Sequence, residues 1–318
     1  MRVSVIIPLY NKAPYIKRAL DSVAAQNDKN VELIVVDDGS TDGGESVVKS
    51  YERVPIKLIT QSNAGPGAAR NRGLREASGD LVAFLDADDE WSPEYLKEGV
   101  RVLEENPDVA TVTFGFFSFP SGKSSESMWR ARGLSEGIQR LTPNTSPALA
   151  VQMLAYMSPC TTIARTELIR KWGGFYSENK CRYGEDAHLW LKVLLNEKVA
   201  FYFRPLANLH NEASALAHNL DGPRPVEPFL LDPDDIRNVC PDHLAELLER
   251  VLAARAFKTA CVLGYWGRWR QADELARKFR LRGAWNLPYY KPALVCRTPV
   301  GGALGKLWRT MLLVRGTK

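Results

Sequence analysis

Two acidic clusters carry the chemistry open to this chain: Val35-Val36-Asp37-Asp38-Gly39-Ser40 and Phe84-Leu85-Asp86-Ala87-Asp88-Asp89. Each places carboxylates directly after a short apolar run that reads as a strand covered on both faces. Such strands deliver their last residues to the edge of a sheet, where open α/β proteins bind ligands. Gathered carboxylates there cost free energy unless something positive sits among them. A divalent metal carrying a nucleotide diphosphate meets that need. Asp86 and Asp88 alternate on an extended segment, so both can reach one ion with the hard oxygen donors that suit Mg²⁺ or Mn²⁺. A hard cation bridging two phosphates neutralises the charge on a departing diphosphate. The competing role for these acids is capping the next helix, a position that Ser92 fills in Ser92-Pro93-Glu94. Asp38 can accept a hydrogen bond from a base N–H or a ribose hydroxyl, with Pro8 and Tyr10 of the neighbouring strand end flanking the base. An Asx-type turn closed by Gly39 and Ser40 is the alternative.

The elements that position these acids alternate as a parallel sheet requires. Strands read at Val3 to Ile7, Val31 to Val36, Ile56 to Thr60 and Leu81 to Leu85, and helical patterns at Pro14 to Gln26, Gly43 to Arg53 and Gly67 to Ala77. The pattern predicts a doubly wound α/β domain. A strand follows at Val109 to Phe114. Between Pro120 and Pro147 periodicity is lost, which predicts a long surface excursion of the kind used as a lid or acceptor contact. Regularity returns from Thr161, with a helix near Thr166 to Lys171, a turn at Trp172-Gly173-Gly174-Phe175, and a helix from Glu185 to Asn196 turning Leu189, Trp190, Val193 and Leu194 inward. A strand at Val199 to Phe203 follows. The proline-rich stretch 221–241 reads as a linker, and amphipathic helices at His243 to Ala254, Ala256 to Trp266 and Arg270 to Arg282 form a helical appendage. Gly264-Tyr265-Trp266-Gly267-Arg268-Trp269 resembles the turn of a helical hairpin.

Four ordered segments together resemble the family 2 glycosyltransferases of the GT-A fold. They are Val5-Ile6-Ile7-Pro8-Leu9-Tyr10-Asn11, Val35 through Asp42, Asn63-Ala64-Gly65-Pro66-Gly67-Ala68-Ala69-Arg70-Asn71-Arg72-Gly73-Leu74, and Phe84 through Asp89. The resemblance implies a Rossmann-like, mostly parallel sheet with flanking helices, a nucleotide-sugar donor, a divalent metal and inversion at the anomeric carbon. It assigns Pro8 and Tyr10 to the base, Asp38 to the base or ribose, and Asp86 and Asp88 to the D-x-D motif, with Asp88 in direct metal contact. Arg70 and Arg72 can reach the diphosphate. More weakly, Gly184-Glu185-Asp186 matches the family's E-D pair, which makes Asp186 the general base with Glu185 beside the donor. An inverting displacement needs such a group, because the acceptor hydroxyl must lose its proton as it attacks. A helix starting near Glu185 favours ionised acids there, and complementing the helix dipole is their competing role. Leu209-His210-Asn211-Glu212-Ala213-Ser214 resembles the late H-x-x-x-S segment, where His210 approaches the metal or diphosphate; His218 is a weaker candidate. The Q-x-x-R-W motif and membrane helices of processive relatives are absent from the sequence, so transfer of one sugar or a few is expected.

These motifs divide the chain into a glycosyltransferase domain at 1–220, with a nucleotide-sugar half at 1–115 and an acceptor half at 116–220, then the linker and a basic helical region at 242–318. The 318 residues carry a net charge of +5. From Gly264 onward twelve Lys or Arg stand against Asp273 and Glu274, which points to an anionic partner or a solvated helical face. Trp269, Trp285, Tyr289, Tyr290 and Trp308 interleave with this charge, and Gly302 to Val314 can form a short amphipathic helix. Peripheral membrane contact or an aromatic core of the appendage would each account for them. No apolar run approaches the roughly 18 residues that span a bilayer, and no cleavage pattern follows the N-terminal strand, so a cytoplasmic protein is expected, with access to the inner membrane face. The five cysteines show no metal or disulfide spacing and read as reduced, mostly buried thiols.

The sequence thus favours transfer of a sugar, with UDP as the expected carrier, to a hydroxyl of a glycan or lipid-linked acceptor in cell-surface polysaccharide synthesis. A nucleotidyltransferase, and a non-catalytic nucleotide-sugar-binding scaffold, are the rival readings. The first wants a glycine-rich phosphate loop that Pro8-Leu9-Tyr10-Asn11-Lys12 lacks. The second fits poorly with Asp38, Asp86, Asp88 and Asp186 all being present. Nucleic-acid binding is not expected, since no recognition module accompanies the charge.

Overall fold

The computed structural model describes residues 1–26, 30–213 and 222–305. Strands β1 (Val3–Leu9), β2 (Val31–Asp37), β3 (Ile56–Thr60) and β4 (Leu81–Phe84) run parallel in the order β3-β2-β1-β4. Helices α1 (Ala13–Ala24), α2 (Gly44–Lys49) and α3 (Pro66–Glu76) connect them. The chain moves outward from β1 to β3, then returns to the other side of β1 with β4. Strand order therefore reverses between β1 and β4, and the crevice at their carboxyl ends is where sheets of this kind take ligands. Both acidic clusters emerge there.

The inner strands β1, β2 and β4 are largely apolar because both faces are covered, while the edge strand β3 leaves Lys57 and Thr60 exposed. Val3, Val5, Ile7 and Leu9 of β1 pack with Ile16, Leu20 and Val23 of α1 and Leu96 and Leu103 of α4 (Tyr95–Glu105). On the other face Gly73 of α3 sits so close to β1 that a Cβ there would lie 2.4 Å from Ile6 Cγ2. The cap of α4 differs from the expected Ser92. Ser92 Oγ has no partner, and Gln26 from beyond the end of α1 takes the role, accepting the Leu96 N–H at 3.0 Å and donating to the Ser92 carbonyl at 2.8 Å. A side chain distant in sequence thus satisfies a helix end that a local serine was expected to satisfy.

After β5 (Glu90–Trp91) come β6 (Val109–Phe119), β7 (Lys123–Ser124), α5 (Glu126–Ala131), β8 (Gly137–Gln139) and α6 (Pro147–Tyr156). Then follow β9 (Thr162–Arg165), α7 (Thr166–Lys171), α8 (Glu185–Asn196) and β10 (Lys198–His210). β9 enters antiparallel between β4 and β6, while β10 lies parallel to β6, giving a mixed sheet ordered β3-β2-β1-β4-β9-β6-β10-β5. Residues 120–147, expected as an irregular excursion, hold two short strands and a helix. The reason is Trp129, fully buried in α5 and ringed by Phe116, Tyr156, Phe201 and Phe203 at centroid distances of 5.0 to 6.3 Å. This large aromatic, with Leu134 and Leu141 also buried, pins a segment that is otherwise mostly polar.

The described residues form two compact units, one of residues 1–140 and 153–213 and one of 141–152 and 222–305. In the second, the stretch expected as linker carries α9 (Pro228–Leu231) and α10 (Asp234–Arg237), with Phe229, Leu230 and Ile236 buried. The two helices expected at 243–266 are one, α11 (Ala245–Tyr265), since no Gly or Pro interrupts its middle and Arg255 there forms a buried ion pair with Glu227. The expected turn follows as a Schellman ending, with Gly267 at φ +76° and hydrogen bonds from Gly267 N to Gly264 O and Arg268 N to Leu263 O. Helices α12 (Trp269–Lys278) and α13 (Tyr290–Cys296) follow, and residues 299–305 are again helical. All five cysteines are free, but Cys160 alone is buried; the others lie at partly open helix and loop positions. His218, Trp308 and most of the helix expected at Gly302 to Val314 lie outside the described residues.

The α3 contact yields a test. Gly73→Val drives two methyl groups toward Ile6 and is expected to cost about 1–3 kcal/mol, read as a lower urea midpoint with an unchanged slope. An unchanged midpoint would mean that Ile6 moves aside freely.

Candidate active site

The floor of the crevice is built around one buried guanidinium. Arg70 on α3 is 4% exposed and donates to Asp86 Oδ1 at 2.7 Å and to Glu185 Oε1 at 3.0 Å. Asp86 stands just beyond β4 and Glu185 opens α8, so Arg70 draws together acids about a hundred residues apart. Phe175 lies under the guanidinium at 5.2 Å and is itself packed edge-on against Phe84 and Trp190. Arg72, two residues on, points the opposite way and pairs with Glu76. A two-residue step on a helix reverses the face, so of the two arginines only Arg70 reaches the cleft.

The segment that brings Glu185 and Asp186 into place is tied directly to α3. Asn71 acts as a backbone mimic, donating to Phe175 O at 2.7 Å and accepting from Phe175 N at 2.8 Å. Gly67 allows the close approach: a Cβ there would meet Tyr176 O at 2.2 Å. Tyr176 N then donates to Glu185 O at 3.1 Å. Gly184, at φ +78°, starts α8 in the left-handed conformation, and both acids fall in its first turn.

Electrostatically the acids outnumber their partners. Burial opposes ionisation of Asp86, but Arg70 overrides it and holds the carboxyl below its ordinary value. Burial, with Asp86 nearby, raises Asp88 against the pull of Lys12, and raises Asp89 to about 8 against the His210 N–H. Glu185 is pushed up to about 7 by burial and by Asp186, and Asp186 is raised by burial, with Arg70 opposing in both cases. Arg70 itself is held firmly charged. Its pairing with Glu185 coexists with the raised Glu185 because one guanidinium cannot neutralise Asp86, Glu185 and Asp186 together. Hard oxygen donors with surplus negative charge fit a divalent cation.

Asp86, Asp89 and Cys160 have ligand atoms within 4.8 Å of one another. The Cys160 thiol is buried, pushed well up, and accepts the Asp86 N–H, so it offers no thiolate, and a hard ion prefers the carboxylates. Asp88 Oδ2 lies 2.6 Å from Lys12 Nζ, and Arg18 donates to the Asp88 carbonyl. His210 is engaged on both ring nitrogens, 3.1 Å from Glu90 and 2.8 Å from Glu212, and stacks on Phe119, while its N–H donates to Asp89 at 2.8 Å. It adjoins the acidic cluster through its backbone, with its ring turned to the glutamates.

Asp38 is 3% exposed and accepts from Gln61 Nε2, Asn63 Nδ2, Ala64 N and Gly65 N at 2.7 to 3.1 Å. Those four donors match a carboxylate's acceptor capacity, so Asp38 anchors the loop leading into α3. Neighbouring Asp37 accepts from Ser40 N at 3.1 Å, the turn bond anticipated for this cluster. Tyr10 is 40% exposed and Pro8 half-buried at the end of β1, beside the Asp38 N–H bond to Leu9 O. Asn11, at φ +50°, binds the two strand exits together through Ser40 and Thr41. Lys12, Arg18 and Cys160 were not among the residues singled out for the site. Lys12 alone had a visible signal, a cation two residues past Tyr10.

The raised Glu185 carboxyl has a pH signature. Between its ordinary 4.5 and about 7 the folded chain keeps a proton that the unfolded chain releases, so stability falls as pH rises through that window. In chelator-treated protein, Glu185→Gln is expected to lose this decline, seen as a flatter urea midpoint against pH than wild type shows. Parallel profiles would contradict the assignment.

Residues 4–159 match the family model described as glycosyl transferase family 2. An uncharacterised glycosyltransferase, alr2836 of Nostoc, is 45% identical over 115 residues, 35% of this chain and 36% of that protein. Glycosyltransferase GlyA of Streptococcus pneumoniae is 31% identical over 218 residues, 64% of this chain and 30% of its own length. The chain thus spans about a third of the length of these curated relatives. The crystal structure of residues 1–349 of Staphylococcus aureus TarS aligns with a TM-score of 0.72 at 23% identity, covering 98% of this chain and 92% of that one. The mannosyltransferase PcManGT of Pyrobaculum calidifontis, in complex with GDP-Man and Mn²⁺, aligns with a TM-score of 0.52 at 20% identity over 97% and 87% of the two chains. Residues 4–159 are accordingly similar to family 2 glycosyltransferases, and the chain shares the GT-A fold of the TarS structure.

Proposed function

We propose that the protein is a metal-dependent, inverting, non-processive glycosyltransferase that moves a sugar from a nucleotide diphosphate donor to an acceptor hydroxyl. The observation that carries this reading is Arg70 joining Asp86 to Glu185, which puts the metal-side acids and the candidate base in one cleft. A UDP-linked donor is favoured because TarS has been crystallised with UDP-GlcNAc and with UDP. PcManGT, with GDP-Man and Mn²⁺, supports a divalent ion and keeps GDP open as the carrier.

In this reading Asp86 and Asp88 hold Mn²⁺ or Mg²⁺, with His210 positioned alongside through its bond to Asp89. The ion supplies charge neutralisation for the diphosphate leaving group. Pro8 and Tyr10 flank the base. Asp38 serves it through the loop it anchors at 61–65, and Arg70 and Glu185 fix the sugar-diphosphate side. Asp186 takes the acceptor's proton as the hydroxyl oxygen bonds to the anomeric carbon and the bond to the diphosphate oxygen breaks. Its raised carboxyl suits that task, since a base works best with a pKa drawn toward the operating pH. Residues 1–115 then form the donor half and 116–220 the acceptor half.

For the acceptor we favour a glycan or lipid-linked hydroxyl met at the inner membrane face, within cell-surface polysaccharide synthesis. No helix among the described residues is long and apolar enough to cross a membrane. From Leu275 to Lys318 there are ten Lys or Arg and no acid, and Trp285, Val300 and Leu304 are each more than half exposed. Exposed apolar side chains among positive charges suit an anionic headgroup layer.

Two measurements test the catalytic reading. UDP at about a hundred times its Kd is expected to add about 2.7 kcal/mol of stability, in the presence of Mn²⁺ or Mg²⁺ and not after chelation; equal shifts with and without metal would remove the ion from donor binding. Asp186→Asn is expected to abolish transfer while keeping that metal-dependent nucleotide shift. Undiminished turnover would overturn the base assignment, and loss of nucleotide binding would recast Asp186 as a donor residue.

A further inference from the structure

Lys12 stands where the exit of β1 meets the D-x-D segment, and nothing in the catalytic reading uses it. Its ammonium is 2.6 Å from Asp88 Oδ2 and also donates to the carbonyl of Ala213. Both side chains are largely buried, 19% exposed for Lys12 and 13% for Asp88. The ammonium also lies 5.6 Å from the Tyr15 ring, which helps to hold it in place. Each D-x-D carboxylate therefore carries its own cation: Arg70 for Asp86 and Lys12 for Asp88.

The two cations are not equivalent. Arg70 is held from several sides, by Asp86, Glu185 and the Phe175 ring, and its planar fork is preorganised for both carboxylates. Lys12 is a point charge on a flexible stem, and it can swing. A divalent ion held by Asp88 would compete with the ammonium for the same carboxylate, and two cations a few ångströms apart would repel strongly in a partly buried cleft.

We infer that Lys12 is an exchangeable counter-ion: it gives up Asp88 to the divalent cation and re-pairs with the diphosphate of the donor. This rests on the metal-dependent reading above. Lys12 is then a positioning residue that sets the affinity for metal and for nucleotide in opposite directions. In leaving Asp88 it also leaves the Ala213 carbonyl, so donor binding loosens the join between the β1 exit and the 211–213 segment.

The test uses the full-length protein, with Mn²⁺ as the probe and the free ion followed by electron paramagnetic resonance. Lys12→Met keeps the aliphatic stem and removes the charge. Without nucleotide it is expected to bind Mn²⁺ about tenfold more tightly than wild type, since a competing charge a few ångströms away is gone. At saturating Mn²⁺ it is expected to bind UDP about tenfold more weakly, having lost one charge-assisted phosphate contact. Lys12→Arg restores the charge and is expected to return Mn²⁺ affinity toward wild type, which separates charge from any loss of folding. Equal Mn²⁺ affinity in wild type and Lys12→Met overturns the counter-ion role while leaving the metal reading intact. Tighter Mn²⁺ with unchanged UDP affinity overturns the re-pairing. Failure of both proteins to bind Mn²⁺ overturns the metal reading and this inference with it.

Discussion

Everything at the cleft depends on keeping one arginine charged and buried between carboxylates that belong to different parts of the chain. Breaking a buried ion pair on one side typically costs about 3–5 kcal/mol, because the surviving charge is stranded. Arg70 therefore constrains α3, the β4 exit and the start of α8 at once. The surrounding structure is arranged to meet that demand. Phe84, Phe175 and Trp190 form an apolar bed under the guanidinium, Asn71 clamps the backbone at Phe175, and Gly67 lets that backbone come close. The acids arrive from two directions because the sheet reverses its order between β1 and β4, while α8 is brought in by the 175–185 segment.

The same arrangement explains why the cleft is poised rather than neutral. One guanidinium and one ammonium face a larger set of carboxyls, so Asp88, Asp89, Glu185 and Asp186 all sit above their ordinary values while Asp86 alone is drawn down. Positive charge is in deficit among these hard oxygen donors, a setting that suits a divalent ion. The firm cation and the loose one divide the labour: Arg70 fixes the geometry, and Lys12 balances the charge.

Much of this was legible from the residues. The four parallel strands declare themselves by short Val/Ile/Leu runs ending in acids, and the turn glycines and acid clusters lie where a nucleotide-binding edge needs them. Leu189, Trp190, Val193 and Leu194 face the core as helical spacing requires. Other features were beyond local reading. Trp129 orders a segment whose composition looks like loop, through rings contributed by β6, β10 and α6. Gln26 replaces Ser92 at the α4 cap because its amide arrives from another helix. Asp38 is a clear candidate for the nucleoside by position, yet its two oxygens are taken by the 61–65 loop, a fact no spacing within 35–42 carries.

The amino-acid sequence by itself determined that the four parallel strands form, that carboxylates end β2 and β4, and that a second acid pair begins a later helix. Those properties are local: hydrophobic periodicity, turn chemistry and residue type act over a few positions. Only the tertiary structure decided how the acids are partnered. Asp86 and Glu185 share Arg70, Asp88 takes Lys12, and the His210 ring turns to Glu90 and Glu212. The pairings of Lys12 with Asp88, Arg70 with Glu185 and His210 with Glu90, across 76, 115 and 120 residues, are set by where the sheet and α8 bring the backbone, and sequence spacing carries no record of them.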